Sequence, residues 1–338
     1  MKDYKKIKNY LKKKPHKWLI TGVAGFIGSN LLEELLLLDQ KIFGIDDLSN
    51  GSIKNINEVK KNVSKKQWKN FSFFKCDISD IQKYKKKIKN IDFVLHQAAR
   101  GSVIKSIINP IKTNHSNVNG FLNVLNFSKD SNVRSFIYAS SSSVYGDSKT
   151  LPKKESKVGN VLSNYALTKK INEDYSKLFF EQYNFKTVGL RYFNVFGKRQ
   201  DPDGDYAAVI PRWINKVIAN KPITIFGDGK TSRDFTPVSN VVQVNIMAAV
   251  KKLTIKNYIY NVGTESRINL NELIIMIYNI LKTPISKRKV LYKPFRQGDV
   301  RHSLANIDKI KKELGYKSDT NFKDSLRSTI NWFLKGHD

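Results

Sequence analysis

The sequence predicts a doubly wound, parallel α/β sheet followed by a smaller C-terminal α/β part. Three observations carry this reading. Short apolar runs alternate with amphipathic stretches through the first half of the chain, glycines 22, 25 and 28 separate the first run from the first amphipathic stretch, and the second run ends in an acid, Asp46. Taken in order, the runs at 18–21, 41–46, 71–75, 93–97, 135–139 and 187–191 have the length and apolar content of buried strands. Between them, 26–38, 81–88, 119–129 and 165–183 carry helical periodicity. Such alternation implies right-handed crossovers and strands that run parallel. Beyond residue 195 the rhythm weakens to strands at 223–226 and 258–261 and helices at 207–219, 238–251 and 270–281. The expected division is a basic N-terminal extension over 1–16, a doubly wound α/β domain over 17–194 and a second domain made mainly of 195–338. A strand and helix from about 230–262 are expected to return to the first domain. No long linker separates the two parts, so they are expected to share a cleft.

Composition excludes several classes. The 338 residues are 40% hydrophobic and 11% aromatic, enough for a sizeable core. The richest apolar stretches, around 31–38 and 273–280, are short and broken by polar side chains, which argues against a membrane span. One cysteine, Cys76, leaves no disulfide within the chain and fits a reducing cytoplasm. Five scattered histidines show no metal-ligand spacing, so no metal is expected. The net charge of +31 is the loudest number, yet only 11 of the 60 basic residues are Arg. A nucleic-acid reader favours Arg, whose planar fork pairs with bases and phosphates. Lysines spread along the whole chain read instead as a solvated surface with a general pull on anions.

Chemistry begins at Thr21-Gly22-Val23-Ala24-Gly25-Phe26-Ile27-Gly28, where a strand runs straight into a helix. Glycines at such a turn allow a pyrophosphate to approach the backbone and aim a helix N-terminus at the anion. Asp46 lies 18 residues past Gly28, close to the ~20 expected for an acid that binds ribose hydroxyls. An anionic Asp46 repels a 2′-phosphate, so NAD is expected rather than NADP. A Tyr-x-x-x-Lys pair suggests a dehydrogenase-type active site, but this composition gives about two such pairs by chance. The chain holds five: Tyr4/Lys8, Tyr10/Lys14, Tyr145/Lys149, Tyr165/Lys169 and Tyr278/Lys282. Context selects Tyr165, which opens a long helix and places Lys169 one turn on, on the same face. It also follows the serine-rich strand end Ser140-Ser141-Ser142-Ser143, and ligands bind at the carboxyl ends of such strands.

With these motifs in place, the chain resembles an extended short-chain dehydrogenase/reductase, a Rossmann-fold enzyme of the nucleotide-sugar epimerase group. Within that group it is most similar to bacterial UDP-N-acetylglucosamine 4-epimerases of surface-polysaccharide pathways. Besides the glycine turn, the resemblance rests on Leu95-His96-Gln97-Ala98-Ala99, Leu190-Arg191-Tyr192-Phe193-Asn194-Val195-Phe196-Gly197 and Arg199-Gln200-Asp201-Pro202. It continues in Tyr206-Ala207-Ala208-Val209-Ile210-Pro211, Ser232-Arg233-Asp234-Phe235 and Gly298-Asp299-Val300-Arg301-His302-Ser303. The resemblance implies that Tyr165 is the base, that Lys169 supports its phenolate, and that Ser141, helped by Ser142 or Ser143, bonds the reacting oxygen. Cofactor contacts are implied at Phe26, Ile27, Asp47, Asn50, Asp77, Ile78, Gln97, Ala98, Ala99, Asn117 and Tyr192, beside the glycines and Asp46. For a UDP-sugar substrate it implies Asn194 and Arg233 on the diphosphate, Arg296 and Asp299 near the diphosphate and uridine ribose, and further contacts from Ala208, Val209, Ile225 and Gly227. A homodimer built on helices 119–129 and 165–183 is also implied.

Two positions bear on which sugar is used. Ser303 falls where epimerases restricted to non-acetylated hexoses carry a bulky aromatic, so a small side chain leaves room for an N-acetyl group. Arg100 stands where similar enzymes carry an apolar residue and suits a carboxylate, which keeps a UDP-glucuronate 4-epimerase as the alternative. Serines at 142 and 143 occupy the place of a 4,6-dehydratase's extra acid/base pair, which disfavours that reaction. His96 reads as a structural strand-end residue. The expected function is therefore an NAD-dependent interconversion of UDP-GlcNAc and UDP-GalNAc, with UDP-Glc and UDP-Gal as further candidates, against a non-catalytic NAD sensor.

Overall fold

The computed structural model describes residues 2–203, 208–251, 258–295, 300–319 and 321–336. Seven strands form the central sheet: β1 (Lys17–Thr21), β2 (Lys41–Asp46), β3 (Phe71–Lys75), β4 (Phe93–His96), β5 (Ser135–Ser141), β6 (Thr187–Tyr192) and β7 (Tyr258–Val262). Their spatial order is β7-β6-β5-β4-β1-β2-β3, and every pairing is parallel. The order reverses between β1 and β4, so a crevice opens at the carboxyl ends of those two strands. Successive side chains of a strand point to opposite faces. In β1, Trp18 and Ile20 enter one core layer with Leu31, Leu35 and Val244, whereas Leu19 enters the other with Val94, Phe121 and Phe136.

The helices that position the cleft are Phe26–Leu37, Gly120–Asp130 and Asn164–Tyr183. The helix expected over 81–88 is instead a 3₁₀ stretch, Ile78–Tyr84. Ile78, Ile81 and Tyr84 recur every third position, which matches three residues per turn, and the first two are buried. Asp77 starts this stretch by accepting a hydrogen bond from the Ser79 amide at 2.8 Å. The helix expected from 119 has a π-helical lead-in, His115–Asn119, a form often found at functional sites.

The basic N-terminus folds as a helix, Lys2–Lys13. Tyr4, Ile7 and Leu11 form its apolar stripe, and Leu11 is fully buried. Gln40 fastens the helix by donating from Nε2 to the Leu11 carbonyl at 2.9 Å, while its Oε1 accepts from the His16 amide and the Trp18 indole. Lys5, Lys6, Lys12 and Lys13 are exposed, so the stripe rather than the charge decides where the segment sits.

The C-terminal part encloses its own core, in which Trp213, Ile214, Ile225, Phe235, Leu273 and Ile277 meet. Helices Val209–Ile218, Leu270–Ile280 and Phe322–Leu334 surround it, with a two-stranded parallel ladder between Ile223–Phe226 and Val290–Lys293. Helix Val238–Val250 leads back to the large sheet, where Val241, Val244 and Ile246 join the first core and β7 pairs with β6. No helix among the described residues is long and apolar enough to cross a membrane.

Candidate active site

The glycine turn is built for close backbone approach. Gly22 has φ +69, and a Cβ there would come within 2.7 Å of the Ala98 amide nitrogen. At Gly28 a Cβ would fall 2.0 Å from the Gly22 carbonyl oxygen. Helix Phe26–Leu37 therefore begins directly against the turn, and its N-cap, Gly25, offers no side chain to occupy the free amides. Asp46, at the end of β2, is buried and holds the turn by accepting from the amides of Ala24 and Leu48, both at 2.9 Å. Burial pushes its carboxyl pKa up, and the two amide bonds oppose that.

Two cavities meet at this turn. One, about 90 Å³, is lined by Gly22, Gly25, Asp46, Asp47, Asn50, Asp77, Ile78 and the 97–100 strand end. The other, about 470 Å³, runs past Phe26, Ile27 and Gly28 to Ser140, Ser141, Tyr165, Lys169 and Tyr192. Gln97 and Tyr192 are fixed where the cavity passes them. The Tyr192 hydroxyl donates to Gln97 Oε1 at 3.0 Å and accepts from Asn245 at 2.8 Å, while Gln97 Nε2 donates to Asn245 Oδ1 at 3.0 Å. Asn245 was not anticipated, although an Asn inside the apolar run of helix Val238–Val250 is the signal that marks it.

Tyr165 lies in the first turn of helix Asn164–Tyr183, which Ser163 caps by accepting from the Ala166 amide. Lys169 follows one turn on. Its side chain is buried, Nζ donates to the Ala139 carbonyl at 2.8 Å, and it stands 5.9 Å from the centre of the Tyr165 ring. Burial brings the Lys169 pKa down to about 8, with the Glu173 carboxylate opposing the shift. Burial raises the Tyr165 phenol, and a hydrogen bond with Ser141 pulls it back. Ser141 is itself oriented by the Ser143 amide at 3.1 Å and the Ser143 hydroxyl at 3.0 Å. Ser140 points away from this group: its hydroxyl donates to Glu173 at 2.6 Å, and Glu173 receives Arg191 through two bonds of 2.8 Å.

The other Tyr-x-x-x-Lys tyrosines are occupied elsewhere. Tyr145 donates to Asn261 at 2.6 Å, Tyr278 to the Lys289 carbonyl and Tyr4 to Glu34, while Tyr10 bonds the His16 ring. His96 is buried between Phe121 and Phe136, with Nδ1 on the Thr21 hydroxyl. Burial first, then the Lys169 charge, lowers its pKa to about 3, so it stays neutral and structural.

A third cavity, about 240 Å³, continues past Asn194 and Ala208 to Val209, Trp213, Thr224, Phe226 and Arg233. Three of the expected contact residues do not line these cavities. Ile225 was expected to touch substrate, but strand Ile223–Phe226 alternates, so Thr224 and Phe226 face the cavity and Ile225 packs in the core. Asn117 was expected to contact the cofactor directly. It is buried behind the wall instead, bonding both the amide and the carbonyl of Arg100 and the Thr168 hydroxyl. Gly227 was expected at the substrate, but it lines none of the three cavities and forms a turn at φ +85, where a Cβ would strike the Phe295 ring. The same cavities do not include Ser142, Ser143 or Ser303 among their linings. Ser303 lies beside Arg233, its amide donating to the Ser232 carbonyl at 3.1 Å. Arg296 and Asp299 lie outside the described residues.

Residues 18–263 match the NAD dependent epimerase/dehydratase family. The chain belongs to that family. This NAD dependent epimerase/dehydratase is 35% identical over 317 residues to a putative UDP-glucose 4-epimerase of Methanocaldococcus jannaschii, covering 93% of this chain and 97% of that one. It is also 35% identical over 319 residues to a UDP-glucuronate 4-epimerase of Thermodesulfobacterium geofontis, with 93% and 95% covered. Among solved structures, the UDP-N-acetylglucosamine 4-epimerase from Methanobrevibacter ruminantium M1, in complex with UDP-N-acetylmuramic acid, matches with a TM-score of 0.87 at 35% identity. That match covers 95% of this chain and 99% of the other. The cofactor of this epimerase/dehydratase is NAD. The residues fit it: a turn that a Cβ would fill, an uncapped helix N-terminus, and a buried acid where ribose hydroxyls need an acceptor.

Proposed function

We propose that this chain is a reversible UDP-sugar 4-epimerase whose working pair is UDP-GlcNAc and UDP-GalNAc, with UDP-Glc and UDP-Gal as smaller substrates. The observation that carries the reading is the convergence of Ser141, Tyr165 and Lys169 at the end of a cavity continuous with the glycine turn. Tyr165 takes the proton from the sugar 4-hydroxyl and later returns it to the 4-keto oxygen. A phenol whose ordinary pKa is near 10 needs help to do this at neutral pH. Lys169 supplies a fixed positive charge, and Ser141 a hydrogen bond to the same oxygen. NAD, when bound, supplies the hydride acceptor for sugar carbon 4. Arg233 and Asn194, in the adjoining cavity, are placed for a diphosphate, where an Arg fork bonds strongly.

The named relatives include enzymes acting on neutral, acetylated and acidic sugars. The acetylated sugar is favoured by the resemblance, which puts the small Ser303 where epimerases restricted to non-acetylated hexoses carry a bulky aromatic. Ser303→Tyr is expected to lower UDP-GlcNAc conversion more than UDP-Glc conversion, changing the ratio of kcat/KM by roughly 10–200-fold. A ratio within twofold of wild type removes Ser303 as the gate. The UDP-glucuronate reading is favoured by Arg100 and Lys105 in the cavity, where Asp201 opposes it. Separate incubations with UDP-GlcNAc, UDP-Glc and UDP-GlcA, with product identification, decide between the two.

The working form proposed is a homodimer. Leu167 and Leu178 are exposed three turns apart on one face of helix Asn164–Tyr183, near the strongly exposed Ile107, Ile108 and Ile111. Burying such a face against its own copy makes an isologous interface. Light scattering should give twice the 38.8 kDa chain mass.

A further inference from the structure

We propose that Arg100 holds the pyrophosphate of bound NAD, making it a cofactor-retaining residue of this chain. The assignment rests on the NAD site described above and adds a residue to it. The two cavities that meet at the glycine turn share six lining residues: Gly22, Gly25, Asn50, Gln97, Ala99 and Arg100. Arg100 is the single charged side chain among them. The smaller cavity carries the acids Asp46, Asp47 and Asp77, and the larger carries Tyr165 and Lys169. A dinucleotide that joins an acid-lined ribose end to the reacting end must lay its two phosphates across the shared stretch. There the glycine turn offers amides and Arg100 offers charge.

The side chain is prepared for such a ligand. Arg100 Nε is buried and has no hydrogen-bond partner. A buried guanidinium nitrogen left unpaired is costly, and an anionic oxygen in the cleft relieves that cost. The backbone beneath it is locked. Asn117 Oδ1 accepts from the Arg100 amide at 2.7 Å, and Asn117 Nδ2 donates to the Arg100 carbonyl at 3.2 Å. Asn117 Nδ2 also donates to Thr168 Oγ1 at 3.1 Å, one residue before Lys169. The turn that presents Arg100 is thus tied to the helix that presents Tyr165 and Lys169. Asn117 acts as a positioning residue for this arrangement.

The test compares wild type, Arg100→Lys and Arg100→Met, each purified as it folds. NAD(H) per chain is measured after dialysis at low and high salt, and the affinity of the emptied protein for NAD⁺ is measured by titration. Arg100→Met should lose NAD(H) on dialysis and bind NAD⁺ about tenfold or more weakly, as expected for one charged hydrogen bond. It should also lose much of the wild-type salt dependence. Arg100→Lys, which keeps the charge without the fork, should fall between and remains informative if Arg100→Met does not fold. Wild-type NAD affinity and salt dependence in Arg100→Met, beside a loaded wild type, overturn the assignment alone. So does unchanged NAD binding with a raised KM confined to UDP-GlcA, which would give Arg100 to a substrate carboxylate. A wild-type protein that neither carries nor takes up NAD overturns the cofactor reading and the assignment together.

Discussion

Tyr165→Phe is expected to cut epimerase turnover by about 10²-fold or more, the usual loss when a positioned acid–base is removed. The ring stays, so the fold and the bound NAD should be kept. The loss is one hydroxyl, on a residue that lines the same cavity as Ser141 and stands beside the buried Lys169. Tyr145→Phe has the same sequence spacing but should behave otherwise. Its hydroxyl donates to Asn261, and neither residue lines the cavity, so the cost falls on stability rather than on turnover. Measuring kcat for both variants with NAD content in parallel separates the two roles. Near wild-type turnover in Tyr165→Phe removes that residue from the chemistry.

Glu173→Ala is expected to destabilise the folded protein by roughly 3–5 kcal/mol, because it leaves a buried cation without its partner. Both Arg191 and Glu173 are only 3% exposed at their side chains, so solvent screening does not soften the loss. The same carboxylate accepts from Ser140, next to Ser141, and so also fixes the strand end that carries the active-site hydroxyl. Replacing both partners by apolar side chains, Glu173→Leu with Arg191→Met, should recover much of the lost stability, since breaking a buried pair costs more than removing it whole. Denaturant unfolding of NAD-loaded proteins measures each step. A single-variant change below about 1 kcal/mol would show that the pair does not anchor β6 to the helix.

The parts of this structure legible in the sequence are those specified by local rules. The turn at Gly22, Gly25 and Gly28 needs residues without a Cβ, and Asp46 ends a strand whose length is read directly from apolar content. Tyr165 and Lys169 share a helix face by spacing alone. Where the outcome depends on what packs opposite, local rules were silent. Asn245 reaches Gln97 and Tyr192 from a helix that arrives late in the chain, so an Asn in an apolar run marks a buried polar contact without naming its partners. Asn117 sits in a π-helical turn and spends its side chain on Arg100 and Thr168, partners that its own neighbourhood in the sequence does not name. Ile225 illustrates the period of a strand, in which one position of register exchanges the cavity for the core. The N-terminal lysines drew attention to charge, yet Tyr4, Ile7 and Leu11 determine where that helix lies.

The most direct measurement is to incubate the purified protein, with no NAD⁺ added, with UDP-GlcNAc carrying deuterium at carbon 4, and to follow the sugar products and their label. A hydride withdrawn and returned within one closed site should give UDP-GalNAc that keeps its deuterium at carbon 4, in a mixture approached from either sugar. Loss of the label to water, or no carbon-4 epimer from UDP-GlcNAc, UDP-Glc or UDP-GlcA in protein that carries NAD, would contradict the epimerase reading.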